Sequence, residues 1–481
     1  MTLDGILATT ARRHPERTAL IHGPDRAALS YRALDDAVTD VAGALSRGGL
    51  HAGDVVGLRA AGSPAYVVGL LGAARAGLTV SPLDPALPAA VAQQRLDMLG
   101  ARILLDGTET APAGGCPVWT LSGTGLHTGA APRDITAPAG LAPGDAMIML
   151  TSGTTGTPKM VPWTHAAIAA AVDAVARTYG LTEADATVAV MPLFHGHGLI
   201  AVLLTSLAVG GTVALPARER FSASTFWEDM AAVKATWYTA VPTIHQILLA
   251  RTEPGGPDAG RAVTGLRFIR SCSAPLSPAV AERLEATFGA PVVQAYGMTE
   301  ATHHISGSAP GDEPARRQRS VGRPVGATAR IVDGEIQVSG PTIARGYLGD
   351  PALSAGAFTE GWLRTGDLGV IEDTGELVVT GRIKNIINRG GEKISPERVE
   401  EVLVACPGVT QAAVFPLPDP VYGERVAAAV VGTDVTAGEL TAQARARLAP
   451  FEVPEHIAVI DELPLTAKGA VDRAALVGRF G

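Results

Sequence analysis

Apolar positions in the first hundred residues alternate between two periods. Leu34, Val38, Val41 and Leu45 fall at i, i+4, i+7 and i+11, one face of a helix, and Asp54 to Leu58 then reads as a strand. Tyr66 to Ala76 reads as a second helix stopped by Gly77, with a strand from Leu78 to Val80 after it. The alternation resumes downstream, with strands expected at 188–191, 212–215, 236–238, 267–270 and 292–295 and helices at 199–207, 244–249 and 278–288. Such alternation predicts doubly wound α/β layers, whose ligands sit beyond the C-terminal ends of strands. Residues 107–145, rich in Gly, Pro and Thr, read as surface connections. From Gly322 to Thr380 the pattern shifts to short strands with Gly and Asp-Gly turns, which predicts a small β-barrel. After 383–386 a helix (396–405), strands near 412–415, 425–431 and 456–460 and a last helix form a small α+β module. The expected division is residues 1–383 and 384–481.

Between these patterns lies a segment whose polarity is concentrated. The apolar run Met147 to Leu150 gives way to Thr151, Ser152, Gly153, Thr154, Thr155, Gly156 and Thr157, then to Lys159, and an alanine-rich helix is expected from about Thr164. Read as strand, loop and helix, it suits a polyphosphate: glycines let backbone amides approach an anion, while hydroxyls and one ammonium complete the shell. It is not a Walker loop, because the spacing is GxxGxxK. A functionless polar loop is the competing reading for this segment alone.

Composition narrows the classes. A chain of 481 residues exceeds one core. The net charge of −8 gives no electrostatic case for nucleic acid or an anionic membrane. No signal-peptide layout and no long apolar run is present, and Cys116, Cys272 and Cys406 lack metal-ligand spacing; together these predict a cytoplasmic protein with buried thiols.

Four segments in one order resemble the adenylate-forming superfamily that contains acyl-CoA synthetases, luciferases and the adenylation domains of peptide synthetases. They are Thr151 to Lys159, Tyr296-Gly-Met-Thr-Glu300, Trp362-Leu-Arg-Thr-Gly-Asp367 and Gly381 to Gly391. The resemblance implies a large N-terminal domain, a small mobile C-terminal lid, and CoA, AMP or acyl-AMP, ATP and Mg²⁺ as candidate ligands. It implies that Tyr296 and Ser273-Ala274-Pro275 sandwich an adenine, Thr299 meets the acyl-phosphate, Glu300 holds Mg²⁺, Asp367 takes the ribose hydroxyls and Arg382 lies beside them. Lys384 would be the hinge, Gly390 and Gly391 would line the pantetheine tunnel, and His195, Gly196, His197, Arg270, Gly297 and His303 would face a carboxylic acid or its adenylate. Within the superfamily, 221–227, 235–246 and 268–273 resemble the oxalyl-CoA synthetase branch. Gly196 and Gly297 stand where that branch is bulkier, which suggests a larger acid.

One departure bears on the chemistry. The family pattern Leu-Pro-x-Thr-x-x-Gly-Lys-(Ile/Val)-x-Arg aligns without a gap onto Leu463, Pro464, Thr466, Gly469, Val471 and Arg473, which puts Ala470 in the place of the catalytic lysine. Losing a cation that stabilises a developing charge costs about 10²–10³ in rate. Either the enzyme keeps thioester formation and receives an acyl-AMP from a separate adenylating enzyme, or Lys468, two residues away, substitutes. A third reading is a non-catalytic binder of adenylates or CoA esters. A ligase lacking this lysine also resembles the non-adenylating acyl-CoA ligases of platensimycin-type diterpenoid antibiotic biosynthesis, which implies secondary metabolism. Met160, where the family has glycine, is expected to stiffen the loop.

Overall fold

The apolar runs Val55–Arg59, Thr79–Leu83 and Ile103–Asp106 are buried along their whole length, as parallel strands covered on both faces must be. In the computed structural model, which describes residues 2–108, 115–151, 158–260, 265–465 and 471–481, they form the middle of a seven-stranded sheet. The helix Tyr31–Arg47, capped by the Ser30 hydroxyl, turns Leu34, Val38, Val41 and Leu45 inward, each 0–1 % exposed. It packs against Pro64–Arg75 so closely that a Cβ on Gly72 would lie 2.5 Å from Val41.

Two expectations about this sheet need correcting. Residues 107–145 are not only surface connections: Val118–Ser122 and Gly125–His127 extend the sheet, with Trp119 and Leu121 buried and Thr120 and Ser122 exposed. This period-2 signal is short and flanked by Gly and Pro. The polar segment is likewise not strand, loop and helix. Asp145–Thr151 pairs antiparallel with a second strand, Lys159–Thr164, and only then does the helix His165–Tyr179 begin, capped by Thr164. Met160 lies in that second strand, opposite Leu150, and packs partly buried against the apolar cluster that holds Ile148 and Leu348.

A second sheet carries the parallel strands Trp237–Ala240, Phe268–Ser271 and Val292–Tyr296, followed by the short antiparallel Ser306–Gly307 and Arg323–Pro324. The turns after its three parallel strands therefore open on one side. Between the strands Ala186–Val188 and Thr212–Ala214 the chain forms a wide π-helical turn, His197–Leu204, continued by Thr205–Val209. Such turns recur at functional sites.

The expected β-barrel is an open sheet. Thr328–Val332, Glu335–Ser339, Trp362–Ile371 and Phe358–Thr359 pair in that order, with Leu377–Arg382 on Trp362–Ile371, and among the described residues no ladder joins its edges. The C-terminal segment has its own apolar clusters, built from the long hairpin Val409–Asp419/Gly423–Gly432, the strand His456–Val459 and the helices Pro396–Val404, Ala437–Arg447 and Arg473–Phe480. Among the described residues no helix is long and apolar enough to cross a membrane.

Candidate active site

Strand register builds one half of the site. Arg270 and Thr239 face each other across the parallel pair Trp237–Ala240/Phe268–Ser271. The fully buried guanidinium of Arg270 donates to the Tyr179 hydroxyl at 3.0 Å and to Thr239 Oγ1 at 3.1 Å, and its Nη2 lies 3.3 Å from His303 Nε2. His197 opens the π-helical turn and places Nε2 2.6 Å from Thr239 Oγ1 and Nδ1 3.1 Å from Ser273 Oγ. Its ring stacks on that of His303 with centroids 5.3 Å apart. His195 is half-buried against Phe194.

Burial, then the charge of Arg270, holds both His197 and His303 well below the usual histidine pKa. The same causes bring His304 down to about 3, and burial brings His245 to about 4. Ser273, Thr302 and His303 have left-handed backbones with φ of 73°, 48° and 75°. Non-glycine residues held in that region cluster at ligand sites.

The two glycines thought to enlarge an acyl pocket do not leave room. A Cβ on Gly297 would lie 1.5 Å from the His303 carbonyl oxygen, and one on Gly196 would lie 2.9 Å from His303 Cβ and 3.0 Å from the Trp163 ring. The His303 turn already occupies that volume, so the inference of a larger acid falls.

The other half is built by an antiparallel register that sets Asp367 opposite Arg382. Asp367 is 1 % exposed; it accepts the Tyr296 hydroxyl at 2.6 Å and two bonds from Arg382, one from Nε and one from Nη2 at 3.3 Å. Burial and the Asp367 charge drive the Tyr296 pKa well up. Ser273, Ala274 and Pro275 form an exposed turn after the strand Phe268–Ser271. Thr299 is anchored through its carbonyl, which accepts Trp163 Nε1 at 2.7 Å. Glu300 accepts the Tyr347 hydroxyl at 2.9 Å through Oε1, and the Lys159 ammonium sits 4.7 Å from the Tyr347 ring centre. Its Oε2 has no partner among the described residues, which fits one carboxylate ligand for a Mg²⁺ otherwise held by phosphate and water. Thr151 pairs with Lys159 at the end of their ladder. Ser152, Gly153, Thr154, Thr155 and Gly156 lie outside the described residues.

Lys384 sits in the short turn Ile383–Asn385; partial desolvation and then Arg382 lower its pKa, while Asp367 opposes them. Gly390 and Gly391, with φ of 58° and 97°, form the turn between Ile387–Arg389 and Glu392–Ile394, a geometry that itself demands glycine. A Cβ on Gly390 would meet the Tyr422 ring at 2.9 Å, while one on Gly391 would meet nothing within 4 Å. Lys468 and Ala470 lie outside the described residues. Their flanks are pinned: Leu465 bridges Val471, Asp472 N donates to the Pro464 carbonyl at 2.8 Å, and Arg473 donates to Glu400 at 2.6 Å.

Sequence reasoning missed Thr239, Tyr179, Trp163 and Tyr347. Thr239 lay in a stretch read for resemblance alone, Tyr179 and Trp163 sit on elements whose apolar setting disguised them as core aromatics, and Tyr347 lies in an irregular segment between elements.

A family model described as AMP-binding enzyme matches residues 7–348, and one described as AMP-binding enzyme C-terminal domain matches 398–470. The chain is 40% identical over 511 residues to the oxalate–CoA ligase of Arabidopsis thaliana, covering 100% of this chain and 98% of that protein. It is 34% identical over 504 residues to the sulfoacetate–CoA ligase of Cupriavidus necator, covering 99% and 97%. Among solved structures, ATP-bound MatB from Rhodopseudomonas palustris matches with a TM-score of 0.87 at 25% identity over 100% of this chain and 99% of that one. The o-succinylbenzoate CoA synthetase MenE of Bacillus subtilis, in complex with its acyl-adenylate intermediate, matches with a TM-score of 0.83 at 29% identity, covering 98% and 97%.

Proposed function

The chain belongs to the family of AMP-binding enzymes, and from that premise we propose that it is an acyl-CoA ligase that makes its thioester from an acyl-adenylate and CoA while adenylating poorly itself. The enzyme class, an acid–thiol ligase of the acyl-CoA synthetase family, is common to the named relatives. What carries the narrower reading is Ala470. The pinned flanks at Leu465/Val471 and Arg473 support an alignment without a gap, which leaves alanine where the family holds the cation of its adenylation step.

In the proposed reaction the CoA sulfur attacks the acyl carbon of the mixed anhydride, the bond to the phosphate oxygen breaks, AMP departs and the thiol proton passes to solvent. Asp367 and Arg382 bind the ribose, Tyr296 and the Ser273–Pro275 turn hold the adenine, Thr299 holds the acyl-phosphate, and His195, His197, Arg270 and His303 surround the acyl group. Residues 384–481 act as the lid, with Lys384 at its hinge and Gly390–Gly391 beside the thiol's path. A separate enzyme supplies the adenylate, in a cytoplasmic pathway of secondary metabolism.

The second reading is a complete ATP-dependent ligase in which Lys468 replaces the missing lysine; the likeness to ATP-bound MatB favours it. ATP–pyrophosphate exchange separates the two. We expect little exchange in wild type, more in Ala470→Lys, and ready conversion of supplied acyl-AMP plus CoA, detected by mass spectrometry. Robust wild-type exchange, lost by about 10²-fold in Lys468→Ala, would establish the second reading instead.

A further inference from the structure

Arg270 is a cation buried completely, and among the described residues no carboxylate lies within ion-pair distance of it. Its hydrogen-bond partners among the described residues are Tyr179, Thr239, His303 and the Cys272 sulfur, none of them a carboxylate. Burying a charge without a counter-charge is costly, so the arrangement calls for a use.

The chemistry of the contact with His303 supplies one. A guanidinium has N–H donors and no acceptor, so the 3.3 Å contact between Arg270 Nη2 and His303 Nε2 is a hydrogen bond only if Nε2 carries no proton. The imidazole is then neutral with its proton on Nδ1. That nitrogen has no partner among the described residues, whereas both nitrogens of the neighbouring His304 are sealed in without one. His303 itself keeps 6 % exposure and its Nδ1 is not among the sealed-in atoms, so Nδ1 is the edge it leaves open.

The ring is held in place from all sides. His303 N donates to the Met298 carbonyl at 3.0 Å, the backbone turns left-handed at Thr302 and His303, the ring stacks on His197, and Gly196 and Gly297 back onto it without space for a Cβ. The titratable groups facing it are Arg270, His197 and His304, and none brings a negative charge.

We propose that Arg270 is a positioning residue that fixes His303 as a neutral Nδ1–H donor, so that the pocket selects acyl groups bearing an acceptor oxygen close to the reacting carbon. The selection rests on the acyl-adenylate reading above; the tautomer does not. A neutral donor suits this task because it keeps its proton throughout the working pH range and offers the same hydrogen bond in each turnover.

The test begins with the wild-type chain labelled with ¹⁵N-histidine, the His303 signal being assigned by its loss in His303→Gln. We expect Nδ1 protonated and Nε2 bare, without change between pH 8 and 5.5. In Arg270→Lys, whose ammonium cannot reproduce the fork, the signal should become a tautomer mixture that titrates, and KM for an acyl-AMP should acquire a matching pH dependence with kcat less affected. Calorimetry should show an adenylate with a second oxygen beside the acyl carbon binding about 10²-fold better than its methylene analogue. A protonated Nε2 in wild type, or equal affinity for the two adenylates, overturns the proposal, and the wild-type spectrum decides the first point even if the variants do not fold. The expected tautomer with no binding of either adenylate would support the positioning role and overturn the functional reading instead.

Discussion

The two halves of the crevice balance their charges in opposite ways. On the side assigned to the nucleotide, Asp367 is met by Arg382 and by the Tyr296 hydroxyl, and the Arg382 side chain keeps 44% exposure. On the acyl side Arg270 is fully buried among neutral histidines and hydroxyls, with no carboxylate in reach among the described residues. A paired and partly solvated charge can hold a polar ligand and release it with little change in its own energy. An unpaired buried charge acts at a distance, fixing the protonation and tautomers of its neighbours. On the proposed function, the comparison therefore separates a half that would grip from a half that would discriminate.

The largest effect that would test this division is on the gripping half. Asp367→Ala strands the Tyr296 hydroxyl and the Arg382 guanidinium together, and truncating one partner of such a charged pair costs about 2–5 kcal/mol. Taking the lower part of that range because Arg382 is partly solvated, acyl-AMP affinity should fall by about 10²-fold by calorimetry. A change within threefold would mean that this carboxylate does not hold the nucleotide.

On the discriminating half, Gly297→Ala forces a methyl against the His303 carbonyl. Overpacking of this kind typically costs about 1–3 kcal/mol, and here it must move the turn that carries His303. The urea midpoint should drop accordingly, and selectivity between adenylates should fall with it. Undiminished selectivity in a destabilised protein would detach His303 from discrimination.

The two halves also differ in how much of them the sequence reveals. Asp367 and Arg382 stand on consecutive strands, and Tyr296 opens a short motif of its own, so linear order carries much of their geometry. The acyl half comes from parallel register between strands about thirty residues apart: Thr239 meets Arg270 only because Trp237 pairs with Phe268. Helix faces such as Leu34 to Leu45 were legible because their period is local. The hairpin Asp145–Thr151/Lys159–Thr164 was not, since Pro158, Pro162 and the polar loop hide a strand whose alternation is short. The open sheet taken for a barrel shows the same limit, for short strands with tight turns look alike whether or not their edges meet.

Acid should find the acyl half first. Burial holds His304 and His245 neutral, at about 3 and about 4, against the usual 6.5. Their folded pKa lies below the unfolded one, so between pH 6.5 and those values the unfolded chain binds more protons. Stability is thus fully present above 6.5 and declines as pH falls through the window. Each group contributes roughly 1 kcal/mol per pH unit inside it. Urea midpoints at pH 7 and 5 should show this loss, and His304→Gln should flatten it; an unchanged slope would remove that histidine from the account.

The smallest expected effect concerns the turn that the functional reading places beside the thiol's path. Gly391 has φ of 97° and open space around its missing Cβ, so alanine there adds backbone strain of about 1 kcal/mol and almost no bulk. Tryptophan adds the same strain together with an obstruction. If the turn lines a tunnel, Gly391→Ala should keep acyl-CoA formation within a few fold, Gly391→Trp should abolish it, and both should bind acyl-AMP as wild type does. Equal losses in the two variants would show that the glycine serves the hairpin between Ile387–Arg389 and Glu392–Ile394 alone. The thiol's path would then have to be sought elsewhere, while the division between the gripping and discriminating halves would stand, since neither depends on this turn.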